Sequence, residues 1–500
     1  MKMKRSCGIL MPVSALPSAH GIGTLGRAAY EFVDFLARAG QSWWQLLPVG
    51  PTSYGDSPYQ SFSAYAGNPY YIDLDLLVED GLLKQDEICG IDWGDDAGCV
   101  DYGKLYENRF DVLRLAAGRG IARDKAKLEA FIEQNGGWLG DYALFMALKD
   151  ANGGKAWTEW EDARLRRHEP EALRAAAEEL RDDVLFYEYI QLLFFEQWEK
   201  LRGYAAKKGI GFIGDMPIYV ALDSADVWSS PESFLLDEDN MPAKVAGVPP
   251  DYFSEDGQLW GNPLYDWDAM RADGYGWWIR RVDGASRLYD VLRIDHFRGF
   301  ESYWAIPSGA KSAKHGCWVK GPGMDLVGRL TSWFSDMQFI AEDLGILTPA
   351  VEQLLSNSGL PGMKVLEFAF DPKEKSAYLP HRHVENCVCY LGTHDNPPVA
   401  AWLDEASREE KDFAARYLGA DGDASLPEAM LRAGFASVAR LFVAQMQDVL
   451  GLGAQARMNT PGTLGGNWRW RADEGQLNDA LAARLSELAD MYERKNSLIK

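Results

Sequence analysis

Basic residues are in short supply: 51 Lys and Arg face 74 Asp and Glu, a formal net charge of -23 over 500 residues. That balance excludes nucleic acid or an anionic membrane face as the main partner, because either needs a basic patch to displace counterions. A neutral or cationic ligand suits it better. Cysteine is scarce too, and the six present (Cys7, Cys89, Cys99, Cys317, Cys387, Cys389) form no Cys-x-x-Cys pair and no tight His/Cys cluster of the kind that holds zinc. Cys387 and Cys389 read as two buried thiols on one strand face. No apolar run reaches membrane-spanning length. Neither a metal nor a cofactor is expected, and no internal repeat or low-complexity linker divides the chain. The start, Met1-Lys-Met-Lys-Arg-Ser-Cys7, enters a strand-like segment without a signal-peptide apolar core, which with the scattered thiols points to a reducing cytoplasm.

What is present is ordinary globular composition, 47% hydrophobic and 25% charged, enough to bury a large core. Apolar runs bounded by turn residues predict eight inner strands: Cys7 to Ala15, Trp43 to Val49, Ile210 to Asp215, Asp290 to Asp295, Gln338 to Glu342, Lys364 to Phe370, Val388 to His394 and Gln447 to Leu452. Helical spacing appears between them, at Arg27 to Ala39 before Gly40, at Glu171 to Leu180, and at the aromatic-rich Val184 to Lys200. Alternating strands and helices in this number predict an α/β fold, a (β/α)8 TIM-type barrel, with largely helical insertions after strands 2 and 3. The reading is one catalytic domain over residues 1–500. The insertions run from about 51 to 182 and about 222 to 287, and later connections are expected to be one helix long.

Three of these runs end in an acid: Val291 to Asp295, Phe339 to Glu342 and Val388 to Asp395. A strand buried on both faces ends in a charge where it opens onto the active face of a barrel. Arg293 stands two residues before Asp295, so the two side chains leave one face and their pairing is expected to keep Asp295 ionised. An ionised carboxylate suits attack on an anomeric carbon, and a neighbouring carboxyl of raised proton affinity, Glu342, suits protonation of the departing oxygen. The plainer alternative is an Arg–Asp pair that only ties the barrel together. His394-Asp395-Asn396 offers a donor and acceptors at the same rim. Asp215 is a fourth acid at a strand end, equally readable as a turn residue. Aromatics reach 12% of the chain, with 18 Trp, and Tyr54, Tyr59, Trp260, Trp468 and Trp470 lie in loops where a ring can stack on a sugar.

As a set, the motifs resemble the amylomaltases, the 4-alpha-glucanotransferases or disproportionating enzymes of the alpha-amylase clan. The resemblance is carried by Ser57-Pro-Tyr59-Gln, Gly214-Asp215-Met-Pro-Ile-Tyr219, Gly247-Val-Pro-Pro-Asp-Tyr-Phe253, Gly257-Gln-Leu-Trp260-Gly-Asn-Pro, Arg293-Ile-Asp295-His296-Phe-Arg298-Gly, Ala341-Glu342-Asp343-Leu-Gly, Gly392-Thr-His394-Asp395-Asn396, and Asn459-Thr-Pro-Gly-Thr463 leading to Gly466-Asn467-Trp468. It implies a retaining transglycosylase on α-1,4-glucans with Asp295 as nucleophile, Glu342 as general acid/base and Asp395 as the third carboxylate that favours the distorted transition state. Arg293, His296, His394 and Asp215 resemble the hydrogen-bonding shell of the cleaved sugar. Tyr59, Gln258, Trp260 and Asn467 resemble sugar contacts, under a lid loop at 247–260. A separate outer glucan site corresponds to Tyr54 and Tyr102. A hydrolase with the same acids is the nearest rival, and a carbohydrate-binding protein without catalysis a remoter one. Retention requires Asp295 and Glu342 at about 5 Å rather than about 8 Å. Monomer and homodimer stay open.

Overall fold

The computed structural model describes residues 3–53, 55–250, 255–345 and 347–496. Among the described residues twelve strands follow in chain order: β1 (Ser6–Leu10), β2 (Trp43–Gln45), β3 (Gly211–Met216), β4 (Lys244–Val248), β5 (Gln258–Pro263), β6 (Val291–Ile294), β7 (Ser302–Pro307), β8 (Cys317–Lys320), β9 (Gln338–Ala341), β10 (Gly362–Val365), β11 (Cys387–Tyr390) and β12 (Leu441–Gln445). Eight of them form one parallel sheet in the order β10-β11-β12-β1-β2-β3-β6-β9. Its two ends meet, because the Ala341 N–H donates to Pro361 O at 2.9 Å and the Met363 N–H donates to Asp343 Oδ1 at 2.5 Å. The result is a (β/α)8 barrel. Its strands are short and wholly or almost wholly buried, as in Val291-Leu-Arg-Ile and Cys387-Val-Cys-Tyr, which is why they read as unbroken apolar runs rather than alternations.

Some helices outside it bury one stripe, and others are buried all round over part of their length, as at 186–194 and 142–149. Arg27–Arg38 buries Ala29, Phe32, Val33, Phe35 and Leu36 at helical spacing. Arg181–Lys207 extends the expected aromatic helix at both ends to 27 residues. Between β2 and β3 the chain also carries the helices Tyr102–Arg123 and Leu139–Ala151.

Several expectations change. The strand expected at Cys7 to Ala15 stops at Leu10, with Val13–Ala15 a 3-10 helix, the one expected at Trp43 to Val49 stops at Gln45, and the connection from β11 to β12 carries three helices, Val399–Glu405, Arg408–Leu418 and Leu426–Ala436. Gln447 to Leu452 is not the last barrel strand. The segment Met446–Leu450 is a short helix, and β12 lies just before it at Leu441–Gln445, paired with β1 and β11. The sixth strand is also shorter than expected, because Leu366–Phe368 turns into a 3-10 helix after Val365. The connection from β6 to β9 is more than one helix: it carries β7 and β8, which join β4 and β5 in a separate antiparallel sheet, β5-β4-β7-β8. The second insertion therefore pairs edge to edge with chain that follows β6.

Candidate active site

Asp215 ends β3 beside a glycine that has to be one. A Cβ on Gly214 would lie 2.2 Å from the Tyr289 ring, so only a bare backbone lets that ring cross the strand. On the neighbouring strand, Arg293 is buried and its Nη1 donates to both Asp215 oxygens at 2.6 Å and to Asp295 Oδ1 at 2.9 Å. Asp295 is fixed one residue past β6 by its N–H, which donates to Met216 O at 2.9 Å. The three side chains differ in access: 0% of Asp215, 3% of Arg293 and 28% of Asp295 is exposed, so only Asp295 faces the cleft.

Glu342 follows β9, its N–H donating to Ile294 O at 3.0 Å. Both carboxyl oxygens are oriented by backbone: the His296 N–H donates to Oε2 at 2.8 Å and the Leu344 N–H to Oε1 at 2.6 Å. His296 reaches this position in the left-handed region, at φ 52°. Its ring meets Trp260 edge-on at 4.9 Å, and Trp260 Nε1 donates to Gln258 Oε1 at 3.1 Å. The antiparallel sheet thus delivers Gln258 and Trp260 to the Glu342 side of the site.

Across the mouth, the Tyr59 hydroxyl donates to Asp215 Oδ2 at 2.8 Å, and its ring stacks on His394 with centroids 5.0 Å apart and 21° between planes. Trp468 completes this aromatic corner at 5.8 Å from Tyr59 and 6.0 Å from His394. Asp395 is the most open acid, at 46% side-chain exposure, and is oriented by Asn459 Nδ2, which donates to its Oδ1 at 2.6 Å. Arg457 holds the Asp395 carbonyl at 3.2 Å.

Burial is the largest influence on the working acids. It pushes Asp295 up to about 6, against the pull of Arg293. Arg293 is shared with Asp215, whose own charge raises Asp295 further. At pH 7 Asp295 is still mostly ionised. Glu342 is pushed up to about 7, first by burial and then by the charge of Asp295. His296 is lowered to about 3 by burial and then by Arg298, so it stays neutral. The two strand-end acids therefore titrate as a coupled pair with one proton between them near neutrality.

The structure links Tyr59, Asp215, Gln258, Trp260, Arg293, Asp295, His296, Glu342, His394 and Asp395 through the contacts above. Asn467 is different: its Oδ1 accepts from the Thr460 N–H at 3.0 Å and its Nδ2 donates to Thr463, so the side chain shapes its own loop. Tyr102, expected in a second glucan site, is 8% exposed, and its hydroxyl donates to Trp468 O at 3.0 Å, so the ring braces the Trp468 loop. Tyr54 lies outside the described residues, as do residues 251–254 of the expected lid loop. Two contributors were missed as site residues. Asn459 opens a turn-rich run that advertises only a loop. Trp468 is recognisable as a loop aromatic but not as a partner of His394, because the pairing joins segments 74 residues apart in the chain that follow the neighbouring strands β11 and β12. Among the described residues no group of three or more His, Cys, Asp or Glu is placed to hold a metal ion.

A parallel barrel with carboxyl groups gathered at the C-terminal ends of its strands, ringed by aromatics, is the build of an enzyme acting on carbohydrate. The particular family follows from comparison: a profile described as 4-alpha-glucanotransferase matches residues 11–477, and the chain belongs to that family, whose members act on α-1,4-glucans. It is 48% identical over 498 residues to a 4-alpha-glucanotransferase of Streptococcus pneumoniae, covering 99% of this chain and 98% of the relative. It is 49% identical over 507 residues to one from Thermus thermophilus, covering 99% and 100%. Its fold is similar to an amylomaltase from Streptococcus agalactiae in complex with acarbose, with a TM-score of 0.96 and 43% identity over 98% of this chain and 100% of that one.

Proposed function

We propose that this 4-alpha-glucanotransferase works by retaining double displacement with Asp295 as nucleophile and Glu342 as acid and base. The observation that carries the reading is the position of the two acids at the ends of adjacent strands, β6 and β9, with the charge of one raising the proton affinity of the other. In the first step an Asp295 oxygen forms a bond to the anomeric carbon. The bond from that carbon to the glycosidic oxygen breaks, and the Glu342 proton passes to the departing oxygen. In the second step an acceptor sugar gives its 4-hydroxyl proton to Glu342, and its oxygen replaces Asp295 on the anomeric carbon.

Asp395, oriented by Asn459, grips ring hydroxyls and favours the distorted ring. Asp215, Arg293, Tyr59, His296 and His394 form the polar wall of the cleaved sugar. Gln258 and Trp260 stand where the acceptor arrives, beside Glu342, and Asn467 keeps the 460–467 loop in shape for it. The 247–260 segment acts as a lid that delays water until a sugar hydroxyl reaches the intermediate. The whole chain works as one catalytic domain, with the insertions at about 51–182 and 222–287 supplying walls of the cleft. No helix among the described residues is long and apolar enough to cross a membrane. All six cysteines are unpaired, which supports a cytoplasmic placement.

Incubation with maltotriose tests the reading. Transfer gives glucose and longer maltooligosaccharides at constant total reducing ends. A steady rise in reducing ends would replace transfer with hydrolysis.

A further inference from the structure

Beneath the turn that presents His394 and Asp395 lies a carboxyl that the reaction above does not use. Glu367 follows β10, is buried, and neither of its side-chain oxygens makes a hydrogen bond of good geometry, although Asn396 lies close enough to favour the charged form. Its backbone N–H donates to Leu391 O at 3.1 Å, which holds it against the end of β11. The packing is tight around Gly392: a Cβ there would lie 2.7 Å from Glu367 Oε1, 2.9 Å from Asn396 Cβ and 3.0 Å from Gln445 Nε2. Gln445 Nε2, at the end of β12, is buried without a partner, so an unmet donor and a poorly met acceptor flank one bare Cα. Asn396 Oδ1 closes the turn above by accepting from the Thr393 N–H at 2.9 Å and from Thr393 Oγ1 at 3.0 Å. Asp448 anchors the helix that follows by accepting from the Val399 N–H at 2.7 Å, and its second oxygen is also buried and unpartnered.

We propose that Glu367 is a positioning residue for the reaction: its carboxyl, wedged with Gln445 and Asn396 around Gly392, braces the turn that carries His394 and Asp395. The proposal rests on the role given to Asp395 above. A carboxylate buried without well-placed partners is strongly unfavourable, so such a group keeps its proton. Burial first and Asp448 next push Glu367 well above the ordinary carboxylate range, with Glu405 adding to the push and Arg457 and Asn396 opposing it. Asp448 itself is raised to about 7 by burial. The neutral acid has the shape and the paired donor and acceptor of a glutamine amide. Ionised, it would repel Asp448 and draw water under the turn.

The test uses the full chain carrying Glu367→Gln, Glu367→Ala or Asp395→Asn, with kcat and KM separated in maltotriose disproportionation and thermal midpoints taken at pH 5 and pH 8. Glu367→Gln should keep kcat within about twofold. Glu367→Ala should lose about tenfold or more in kcat with KM little changed, because a displaced Asp395 weakens transition-state contacts more than ground-state ones. Folding raises the proton affinity of Glu367, so its contribution to stability is lost as pH rises above the unfolded carboxylate value. The midpoints of wild type and Glu367→Gln should therefore differ less at pH 5 than at pH 8, where the glutamine form should be higher by about 2 °C. Glutamine as impaired as alanine, or alanine with wild-type kcat, overturns the proposal. Should alanine fail to fold, coincident glutamine and wild-type midpoints at both pH values overturn it. Wild-type kcat in Asp395→Asn would overturn the role of Asp395 and the bracing role with it, whatever the midpoints show.

Discussion

Arg293 Nη1 lies 2.6 Å from both oxygens of Asp215, closer than the 2.9 Å that separates it from Asp295. The guanidinium is thus committed first to a fully buried acid, and Asp295, the proposed nucleophile, receives the remainder of its charge. Asp215→Asn should release that charge toward Asp295, moving the acid limb of kcat/KM to lower pH even as sugar binding weakens. Arg293→Lys, which lacks the planar fork, should move the limb upward and cost roughly 100-fold or more in kcat/KM. Profiles of the two variants that shift in the same direction would contradict the shared-charge account.

The pair Asp295 and Glu342 sets a narrow pH window. Asp295 must be ionised, so activity should rise with pH toward about 6, and Glu342 must hold its proton, so activity should fall as pH passes about 7. Glu342→Gln should abolish most turnover and also change stability. Folding raises the Glu342 value, so its contribution is present at acid pH and lost as pH rises from the unfolded carboxylate value to about 7. Thermal midpoints of Glu342→Gln should match wild type near pH 4.5 and exceed it at pH 8. A variant that is no more stable than wild type at pH 8 would argue against a proton-holding Glu342.

Asn459 is the side chain that aims Asp395. Asn459→Ala removes a 2.6 Å charge-assisted bond and should lower kcat about tenfold, equivalent to about 1.4 kcal/mol, with a smaller change in KM. Asn459→Asp places like charges together and should be worse than alanine. Steady-state kinetics on maltotriose checks the order of the two.

Tyr59 contributes two separable things, a hydroxyl to Asp215 and a ring to His394. Tyr59→Phe keeps the stack and should raise KM by about fivefold, the worth of one hydrogen bond. Tyr59→Ala loses both and should lower kcat as well, because His394 is then free to turn. Equal losses in the two variants would show that the stack contributes nothing.

Much of the barrel was legible because parallel strands buried on both faces leave continuous apolar runs, and because Asp295, Glu342 and Asp395 are the charges that end them. The last strand was not legible. Leu441–Gln445 passes straight into the helix Met446–Leu450, both are apolar, and neither is long enough for its period to show. The β5-β4-β7-β8 sheet was hidden for a related reason: its pairing joins Gly247 to Trp304 and Trp304 to Trp318 across long stretches of chain, and no local pattern records a partner.

Sequence alone determined which acids stand at strand ends and which residue types surround them, since burial and periodicity are written residue by residue. The sharing of Arg293 between Asp215 and Asp295, the aiming of Asp395 by Asn459, the burial of Tyr102 and the buried carboxyl of Glu367 were decided only by the closed barrel. Each depends on the register between strands far apart in the chain, and electrostatic coupling follows distance in space rather than distance in sequence.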